Sequence, residues 1–298
     1  MEYNKLPDLK SLATLQAVVE RGGVSEAAKL LNIGQPAVTK RLRSLETLYA
    51  TPIMERVSGR LQLTDVGQQI YQFAVLTTNF HQRLQKSLAD LNQGKRTLRL
   101  EVTMAIGEHF LPAWLVRFAD THPQYRVESR LAYGRIIEPR LAVGQIDLAV
   151  MENAPDHPDV LVQQWRTDEI VMVCGAQHPI ARRKKLRMQD LFDLNFVLRE
   201  KNAALREHMD RLLEQHGIQD LNISMEVGST AAIIDILHSG RHVSFLPLFA
   251  VASEIDNGQL VTLPIKDLYT RRTLWIVRHR MHLNHPVANA FIEMLQQA

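Results

Sequence analysis

Polar and basic residues near the amino terminus have the chemistry needed to bind a nucleic acid. Val38, Leu42 and Leu45 follow the i, i+4, i+7 spacing of a helix face that packs on a core. The opposite face carries the residues that could contact DNA, which are Gln35, Pro36, Ala37, Thr39, Lys40 and Arg43. Amides and hydroxyls can pair with base edges, and cations can contact phosphates or guanine. This spacing predicts a helix that reads a major groove; the alternative is a capped helix with solvated cations.

Two shorter helices must hold this helix in place. Residues 9–21 align apolar side chains on one face, and Gly22 ends the run. Ser25 is predicted to cap a second helix over residues 26–31, where its hydroxyl and nearby amides could also bind a phosphate. Residues 32–34 then form a tight turn. The sequence therefore predicts a helix-turn-helix.

A small β-wing is predicted next. Residues 52–56 and 61–63 are typical of two short strands joined by a turn that contains Gly59. Arg56 and Arg60 would lie near the tip of this wing. At that position they could contact the DNA backbone or the minor groove.

A long helix follows, and Thr64 is predicted to cap it. Along residues 65–93, eight positions alternate spacings of four and three, namely Val66, Ile70, Phe73, Thr77, Phe80, Leu84, Ser87 and Leu91. This is the a/d pattern of a coiled coil. Such a helix would be roughly 40 Å long, more than one small domain can bury. We expect it to pair with a second copy in a homodimer; the alternative is packing on its own chain.

Composition limits the class of protein. Of 298 residues, 46% are apolar and 22% are charged, which is typical of globular chains and excludes a wholly disordered or fibrous one. A single cysteine, Cys174, excludes a disulfide framework and any multi-cysteine metal site. No apolar run is long enough to span a bilayer and the first residues do not form a signal peptide, so a soluble cytoplasmic protein is expected. Residues 1–96 carry 13 Lys and Arg against 8 Asp and Glu, which favours a polyanion partner for this part.

The rest of the chain alternates strands with helices. Strands are predicted at 98–102, 126–132, 146–151, 169–174, 224–227, 243–245 and 273–278, and helices at 109–122, 136–143, 205–216, 231–239 and 286–297. This alternation predicts an α/β architecture with largely parallel sheets. The segment is long for a single sheet, so two lobes with a cleft between them are expected.

Motifs along the whole chain form one pattern. The first group is Ala27-Ala28-Lys29-Leu30-Leu31, Gln35-Pro36-Ala37-Val38-Thr39, Leu42-x-x-Leu45-Glu46, Glu55-Arg56 and Leu63-Thr64-x-x-Gly67. The second group is Phe110-Leu111-Pro112, Leu141-x-x-Gly144-x-x-Asp147-Leu148-Ala149, His178-Pro179 and Val243-x-x-Leu246-Pro247. Together they resemble the LysR-type transcriptional regulators over essentially the full length. One departure is that Met104-Ala105-Ile106 stands where the family often has a hydroxyl residue, with Thr103 nearest.

The resemblance implies a division into a winged helix-turn-helix rich in α-helix (1–64), a dimerisation helix (65–94) and an effector-binding domain (95–298). That last domain would have the two-lobed α/β fold of periplasmic binding proteins, with lobe I at about 95–167 and 266–298 and lobe II at about 168–265. The implied partners are duplex DNA with palindromic half-sites, a homodimer or homotetramer, and a small-molecule effector. RNA polymerase is a further candidate partner, and neither a membrane nor a cofactor is expected.

The effector site is expected between the lobes. In open α/β folds, ligands bind beyond the carboxyl ends of strands, where helix amino ends point inward. The residues at these places are Thr103, Met104, Ala105, Ile106, Tyr133, Gly134, Arg135, Glu200, Lys201, Asn202, Ser229 and Thr230. Hydroxyls, an amide and free backbone N–H groups favour a small anion, to which Arg135 or Lys201 could add charge.

Other groups of residues carry less weight. The run His279-x-x-His282-x-x-His285 could indicate a metal site, but side chains at this spacing in a loop need not converge. Cys174 ends an apolar strand and is expected to be buried rather than reactive. Because no catalytic motif is recognisable, an enzyme is not expected. Two alternatives stay open: a solute-binding or enzymatic α/β protein with an incidental DNA-binding domain, and a purely architectural DNA binder.

Overall fold

A computed structural model describes residues 6–57, 60–92 and 96–297 of the chain. The chain divides into two compact units, Met1–Gly94 and Lys95–Ala298. Within the described ranges, no helix has the length and apolar character required to cross a bilayer.

The first unit contains the predicted helix-turn-helix and wing. Its elements are α1 (Leu9–Arg21), α2 (Val24–Leu31), α3 (Gln35–Tyr49), β1 (Met54–Val57), β2 (Arg60–Leu63) and α4 (Asp65–Asn92). Asp8 caps α1 by accepting from the backbone N–H groups of Lys10 and Ser11, and Gly22 ends it in the left-handed conformation, with φ of 76°. The core joins Leu12 and Leu15 of α1 to residues of α3 and α4. The prediction of this architecture is confirmed.

Close backbone contact fixes the start of α4. The hydroxyl of Thr64 accepts from Gly67 N at 2.9 Å and donates to the carbonyl of Pro52 at 2.9 Å, so one side chain caps the helix and ties it to the segment before β1. Gly67 then lies directly against the carbonyl oxygen of Ile53, where a Cβ atom would collide. This contact explains the Thr64-x-x-Gly67 spacing.

The predicted heptad positions of α4 lie on two different faces of the helix. Ile70, placed in the predicted seam, is instead buried in the core of its own unit, because the face with Ala74 and Thr78 packs on α1. Val66, Phe73 and Leu84 of the seam are exposed, and Leu88, absent from the prediction, is exposed as well. Thr77 and Phe80 are half-buried, and the side chains of Ser87 and Leu91 lie outside the described residues. One face of α4 therefore packs internally while a second apolar row faces outward.

The second unit is an α/β domain whose two largest apolar cores lie in different lobes. Its strands are β3 (Arg96–Thr103), β4 (Tyr125–Ala132), β5 (Leu148–Met151), β6 (Val160–Gly175), β7 (Phe196–Arg199), β8 (Ile223–Val227), β9 (Val243–Pro247), β10 (Leu260–Thr262) and β11 (Arg271–His279). Its helices are α5 (Met104–Thr121), α6 (Gly134–Ala142), α7 (Ala204–Gln215), α8 (Thr230–Leu237), α9 (Leu248–Asp256) and α10 (Pro286–Gln296). Short 3₁₀ turns lie at Pro179–Arg182, Met188–Asp193 and Arg280–His282.

The strand order is β4-β3-β5-β11-β6-β9-β7-β8, with β10 beside β6. Lobe I has its core around β3, β5, α5 and α10, and lobe II has its core around β6, β7, β9 and α7. The β6 strand belongs to both, since it pairs with β11 up to Glu169 and with β9 from Ile170 onward. The predicted two-lobed α/β fold is confirmed.

Some elements differ from the prediction. The sheets are mixed rather than largely parallel, because β6 and β11 run antiparallel to their neighbours and carry the chain between lobes. The β6 strand begins at Val160 instead of Glu169, since its first half has a polar exposed face. Helix α5 begins at Met104, five residues before the predicted start. The elements β7, α9 and β10 were missed. Each is too short for its hydrophobic period to be recognised in the sequence.

Replacing Gly67 by Ala is expected to destabilise the first unit by about 1–3 kcal/mol, because the new methyl group overlaps a backbone oxygen that cannot rotate away. Urea unfolding of the full-length chain measures the loss. Gly23→Ala is the matched control, since nothing lies within 4 Å of a Cβ atom there. Equal stability of the two variants would contradict the close contact.

Candidate DNA-contacting helix and effector cleft

The outward face of α3 carries the predicted DNA-contacting residues. Gln35, Lys40 and Arg43 are exposed, whereas Val38 and Leu45 on the other face are 0% and 1% exposed. Pro36 is exposed, and Ala37 and Thr39 are half-buried. Gln35, Thr39 and Arg43 are four residues apart, so they form one row along the helix. The structure thus places the predicted polar residues on a single surface.

The cations of α3 differ in their surroundings. Arg41 turns towards α1, and its Nη1 donates to the Thr14 hydroxyl at 3.2 Å. In the described part of the chain, no carboxylate forms an ion pair with Lys40 or Arg43. These two side chains can therefore contact phosphates without first breaking a salt bridge.

Ser25 does not cap α2, contrary to the prediction. The helix begins at Val24, two residues before the predicted start, because Gly23 is extended and its carbonyl already accepts from Ala27 N at 3.1 Å. Ser25 is exposed in the first turn. Its hydroxyl thus lies at the amino end of α2, where backbone N–H groups favour an anion.

The wing is present as an antiparallel hairpin. The strands β1 and β2 pair from Met54 opposite Leu63 to Val57 opposite Arg60, and Arg56 lies opposite Leu61. The backbone therefore places Arg56 and Arg60 at the end of the hairpin next to residues 58–59, as predicted, while their side chains lie outside the described residues.

Residues from both lobes meet around a small cavity at the amino ends of α5, α6 and α7. Five of the predicted effector residues line it, namely Thr103, Met104, Ala105, Tyr133 and Gly134. Its volume is about 20 Å³, enough for roughly one water molecule. The cleft is therefore nearly closed in this structure.

Other predicted residues lie elsewhere. Ile106 is 0% exposed and belongs to the lobe I core, because helix periodicity turns it away from the cleft. Lys201 and Asn202 are exposed in the turn before α7 and do not line the cavity. Arg135 is also exposed, with its guanidinium 5.7 Å from the centre of the Tyr133 ring.

One hydrogen bond crosses the cleft at Thr230, and the donors beside it are paired within lobe II. The backbone N–H of Thr230, at the amino end of α8 in lobe II, donates to Glu108 Oε2 of lobe I at 3.2 Å. Arg199 donates to Glu200 at 2.9 Å through both Nε and Nη2, and to the Thr230 hydroxyl at 3.2 Å. Ser229 caps α8 by accepting from Ala232 N.

A hydrogen bond between Tyr133 and Glu200 links the lobes as well. This bond, together with burial, raises the pKa of the Tyr133 hydroxyl. Burial would raise the pKa of Glu200, but hydrogen bonds from Arg199 and Tyr133 outweigh it and lower that pKa. Glu200 is therefore held as a carboxylate that bridges the two lobes.

Sequence reasoning missed five residues of the cavity, and two of them, Glu152 and Arg199, are charged. Glu152 directly follows the short, fully buried strand β5, Arg199 is the last residue of the equally buried β7, and both side chains are themselves buried. A charged residue at the carboxyl end of such a strand was the available signal, because buried charges need a partner or a ligand. In the described residues, Glu152 Oε2 has no hydrogen-bond partner.

The histidine run has local structural roles. His279 and His285 accept from backbone N–H groups at the starts of a 3₁₀ turn and of α10. His282 Nδ1 and His285 Nε2 lie 3.6 and 3.9 Å from the carboxylate of buried Asp147. Among the residues described, no three His, Cys, Asp or Glu side chains are grouped as a metal site.

Cys174 is 0% exposed in β6, and burial raises the pKa of its thiol to about 11. The thiol therefore stays protonated at neutral pH and is a poor nucleophile.

Comparison with known proteins assigns both units. Residues 9–68 match the bacterial regulatory helix-turn-helix protein domain of the lysR family, and residues 91–298 match the LysR substrate binding domain. The chain belongs to the LysR family. This LysR protein is therefore a DNA-binding transcriptional regulator with an effector-binding domain, as the motifs predicted.

A curated relative agrees with that assignment, and two solved structures share the fold. The HTH-type transcriptional activator CmpR of Synechocystis sp. is 25% identical over 288 residues, covering 96% of this chain and 94% of CmpR. Full-length CbnR complexed with its target DNA has a TM-score of 0.65 at 18% identity, covering 97% of this chain and 99% of CbnR. The regulatory domain of Synechocystis CcmR in complex with 2-PG has a TM-score of 0.61 at 23% identity, covering 67% of this chain and 96% of that domain.

The buried thiol of this LysR protein should react slowly in the native state. With a pKa of about 11, only about one thiol in a thousand is ionised at pH 8. We expect labelling by a disulfide reagent at pH 8 to be at least ~100-fold slower than in denaturant, where the thiol is exposed. Equal rates in the two conditions would show that Cys174 is accessible.

Proposed function

We propose that this regulator inserts α3 into the major groove of promoter DNA. The row of Gln35, Thr39 and Arg43 on the outward face of α3 supports this proposal, as does Lys40, which has no ion pair among the described residues. In a helix-turn-helix the second helix enters the groove, and each of these side chains has a hydrogen-bond partner on DNA. The surplus of cations in residues 1–96 adds attraction for the phosphate backbone.

A homodimer would present two such helices to the two half-sites of a palindrome. The exposed apolar row of α4, with Val66, Phe73, Leu84 and Leu88, supports pairing with a second copy. The helix spans 28 residues, about 42 Å at about 1.5 Å per residue, which suits an extended dimer contact. A tetramer built from two dimers would extend the same arrangement.

The effector is proposed to be a small anion bound between the lobes of the second unit. The N–H of Thr230, the guanidinium of Arg199 and the hydroxyl of Tyr133 converge on the cleft, and all of them are donors. The related regulatory domain of CcmR was solved in complex with 2-PG, which supports a ligand site in this domain.

Effector binding would control DNA binding through the degree of lobe closure. A ligand shifts an equilibrium between open and closed forms only by its difference in affinity for them. We propose that the chain works in the cytoplasm, where promoter DNA lies, and that it acts by binding and has no catalytic activity. Footprints with and without effector test the coupling, and an unchanged footprint would contradict it.

Base preference and general affinity should depend on different residues of α3. Gln35→Ala or Thr39→Ala is expected to relax sequence preference, with a loss of about 1–3 kcal/mol for the preferred site only. Lys40→Ala is expected to weaken binding to every duplex and to reduce the salt slope by about 1.

Fluorescence anisotropy across salt concentrations measures both effects. Lys184→Ala, which removes an exposed lysine of the second unit, is the control. A Lys40→Ala variant with an unchanged salt slope would remove this residue from the DNA contact.

The outward row of α4 should decide the oligomeric state. Leu84→Glu places a charge at a residue that is 57% exposed here and is expected to shift the chain towards monomers by disrupting the apolar seam. Gln85→Glu adds the same charge at the adjacent exposed position and should leave the oligomer intact. Light scattering after size exclusion gives the mass, and an unchanged mass for Leu84→Glu would exclude this seam as the interface.

A further inference from the structure

The closed cleft is held by one of the protein's own carboxylates. Glu108 lies in the second turn of α5 in lobe I, and its Oε2 accepts from Thr230 N, the first residue of α8 in lobe II, at 3.2 Å. The first N–H groups of a helix lack partners within the helix and carry partial positive charge. Glu108 therefore occupies the place where an external anion would bind.

The neighbouring donors are occupied in the same way. Arg199 is 2% exposed and gives its Nε and Nη2 to Glu200, while its Nη1 reaches the hydroxyl of Thr230. Tyr133 also hydrogen-bonds to Glu200. An acid that binds to Thr230 N or to Arg199 must therefore replace an internal carboxylate.

Glu152 presents the opposite situation, an acceptor without a donor. It is 6% exposed and lines the same cavity as Thr103 and Arg199, yet its Oε2 has no partner in the described part of the chain. A buried carboxylate oxygen without a hydrogen bond is unfavourable. A ligand that carries a hydroxyl or amino group would satisfy it.

If the proposed function holds, this cleft binds the effector, and we propose that the effector is a small acid that also carries a hydroxyl or amino group. Its acid group replaces the Glu108 carboxylate at the amino end of α8, and its hydroxyl or amino group donates to Glu152. Release of Glu108 breaks a contact between the lobes, so effector binding and the rearrangement of the cleft are one event. Glu152 then determines specificity, because an acid without the donor leaves the carboxylate unpaired.

The Glu108 contact is tested without any ligand by hydrogen–deuterium exchange on the full-length chain. In Glu108→Ala, amides at 228–232 should exchange at least tenfold faster than in the unchanged protein. Asp120→Ala, which removes an exposed acid on the same helix, should have no such effect. Unchanged exchange in Glu108→Ala would overturn the contact as a lock on the cleft.

Ligand class is tested with matched pairs of acids that differ only by a hydroxyl group, namely lactate with propionate and malate with succinate. In thermal-shift titrations at constant ionic strength, at least one hydroxy acid should bind Glu108→Ala five times more tightly than the unchanged chain. Its deoxy partner should bind at least tenfold more weakly, and Glu152→Met should abolish that discrimination. Equal binding of the partners, or no binding of any of these acids to Glu108→Ala, would overturn the proposal.

The role of Glu152 has a readout that needs no ligand. Glu152→Gln should leave the melting temperature unchanged or raise it, because it removes a buried charge whose second oxygen is unpaired. A clear fall in the melting temperature would show that Glu152 is a structural residue and would overturn its role. DNA binding is measured on the same samples, so a chain that binds no DNA contradicts the proposed function, whereas failure of the acid pairs contradicts this inference alone.

Discussion

The cleft of the second unit depends on the strand β6, which is shared by two sheets. Its first part pairs antiparallel with β11 in lobe I, and from Ile170 onward it pairs with β9 in lobe II. Near the transition, Asp168 lies opposite Arg272, and Arg272 Nε donates to Asp168 Oδ2 at 2.9 Å with both side chains buried. Burial raises the pKa of Asp168 even though the Arg272 charge opposes that shift. Each lobe thus keeps its own core while a continuous backbone joins them.

The lobes meet through two kinds of contact: Phe249 of α9 packs on Phe110 of α5, with ring centres 4.8 Å apart, and polar groups pair across the cleft. Glu108 with Thr230, and Tyr133 with Glu200, are hydrogen bonds between charged or dipolar groups, and a ligand of similar chemistry can replace such bonds. The apolar cores on either side, around Phe118 in lobe I and Phe196 in lobe II, are too well buried to exchange partners in this way. The polar contacts of the cleft are therefore the ones that a ligand can exchange.

In the first unit, packing leaves the functional surface free. Val38 and Leu45 bury one face of α3, so the row from Gln35 to Arg43 must face outward. The same division applies to α4, where Ala74 packs on α1 and Phe73, one residue earlier, is exposed. In both helices the 3.6-residue period separates an internal face from one that can serve a partner.

The sequence by itself determined the local elements and the family. Helix periodicity located α1, α3 and α4, Thr64 identified the start of α4, and the motifs around Gln35 and Asp147 indicated LysR regulators, because all of these signals lie within a few neighbouring residues. The same reasoning located the edge of the effector cleft at the ends of strands.

Only the tertiary structure decided which residues meet there. Glu108 and Thr230 are separated by 122 positions, and no periodicity indicates that a helix in one lobe caps a helix in the other. Glu152 and Arg199 were missed for the same reason, since their role depends on two lobes closing over one cavity. Spacing alone assigned Ile70 to a dimer seam, but this residue is buried in the core of its own unit. The surface that a helix buries depends on its neighbours in space.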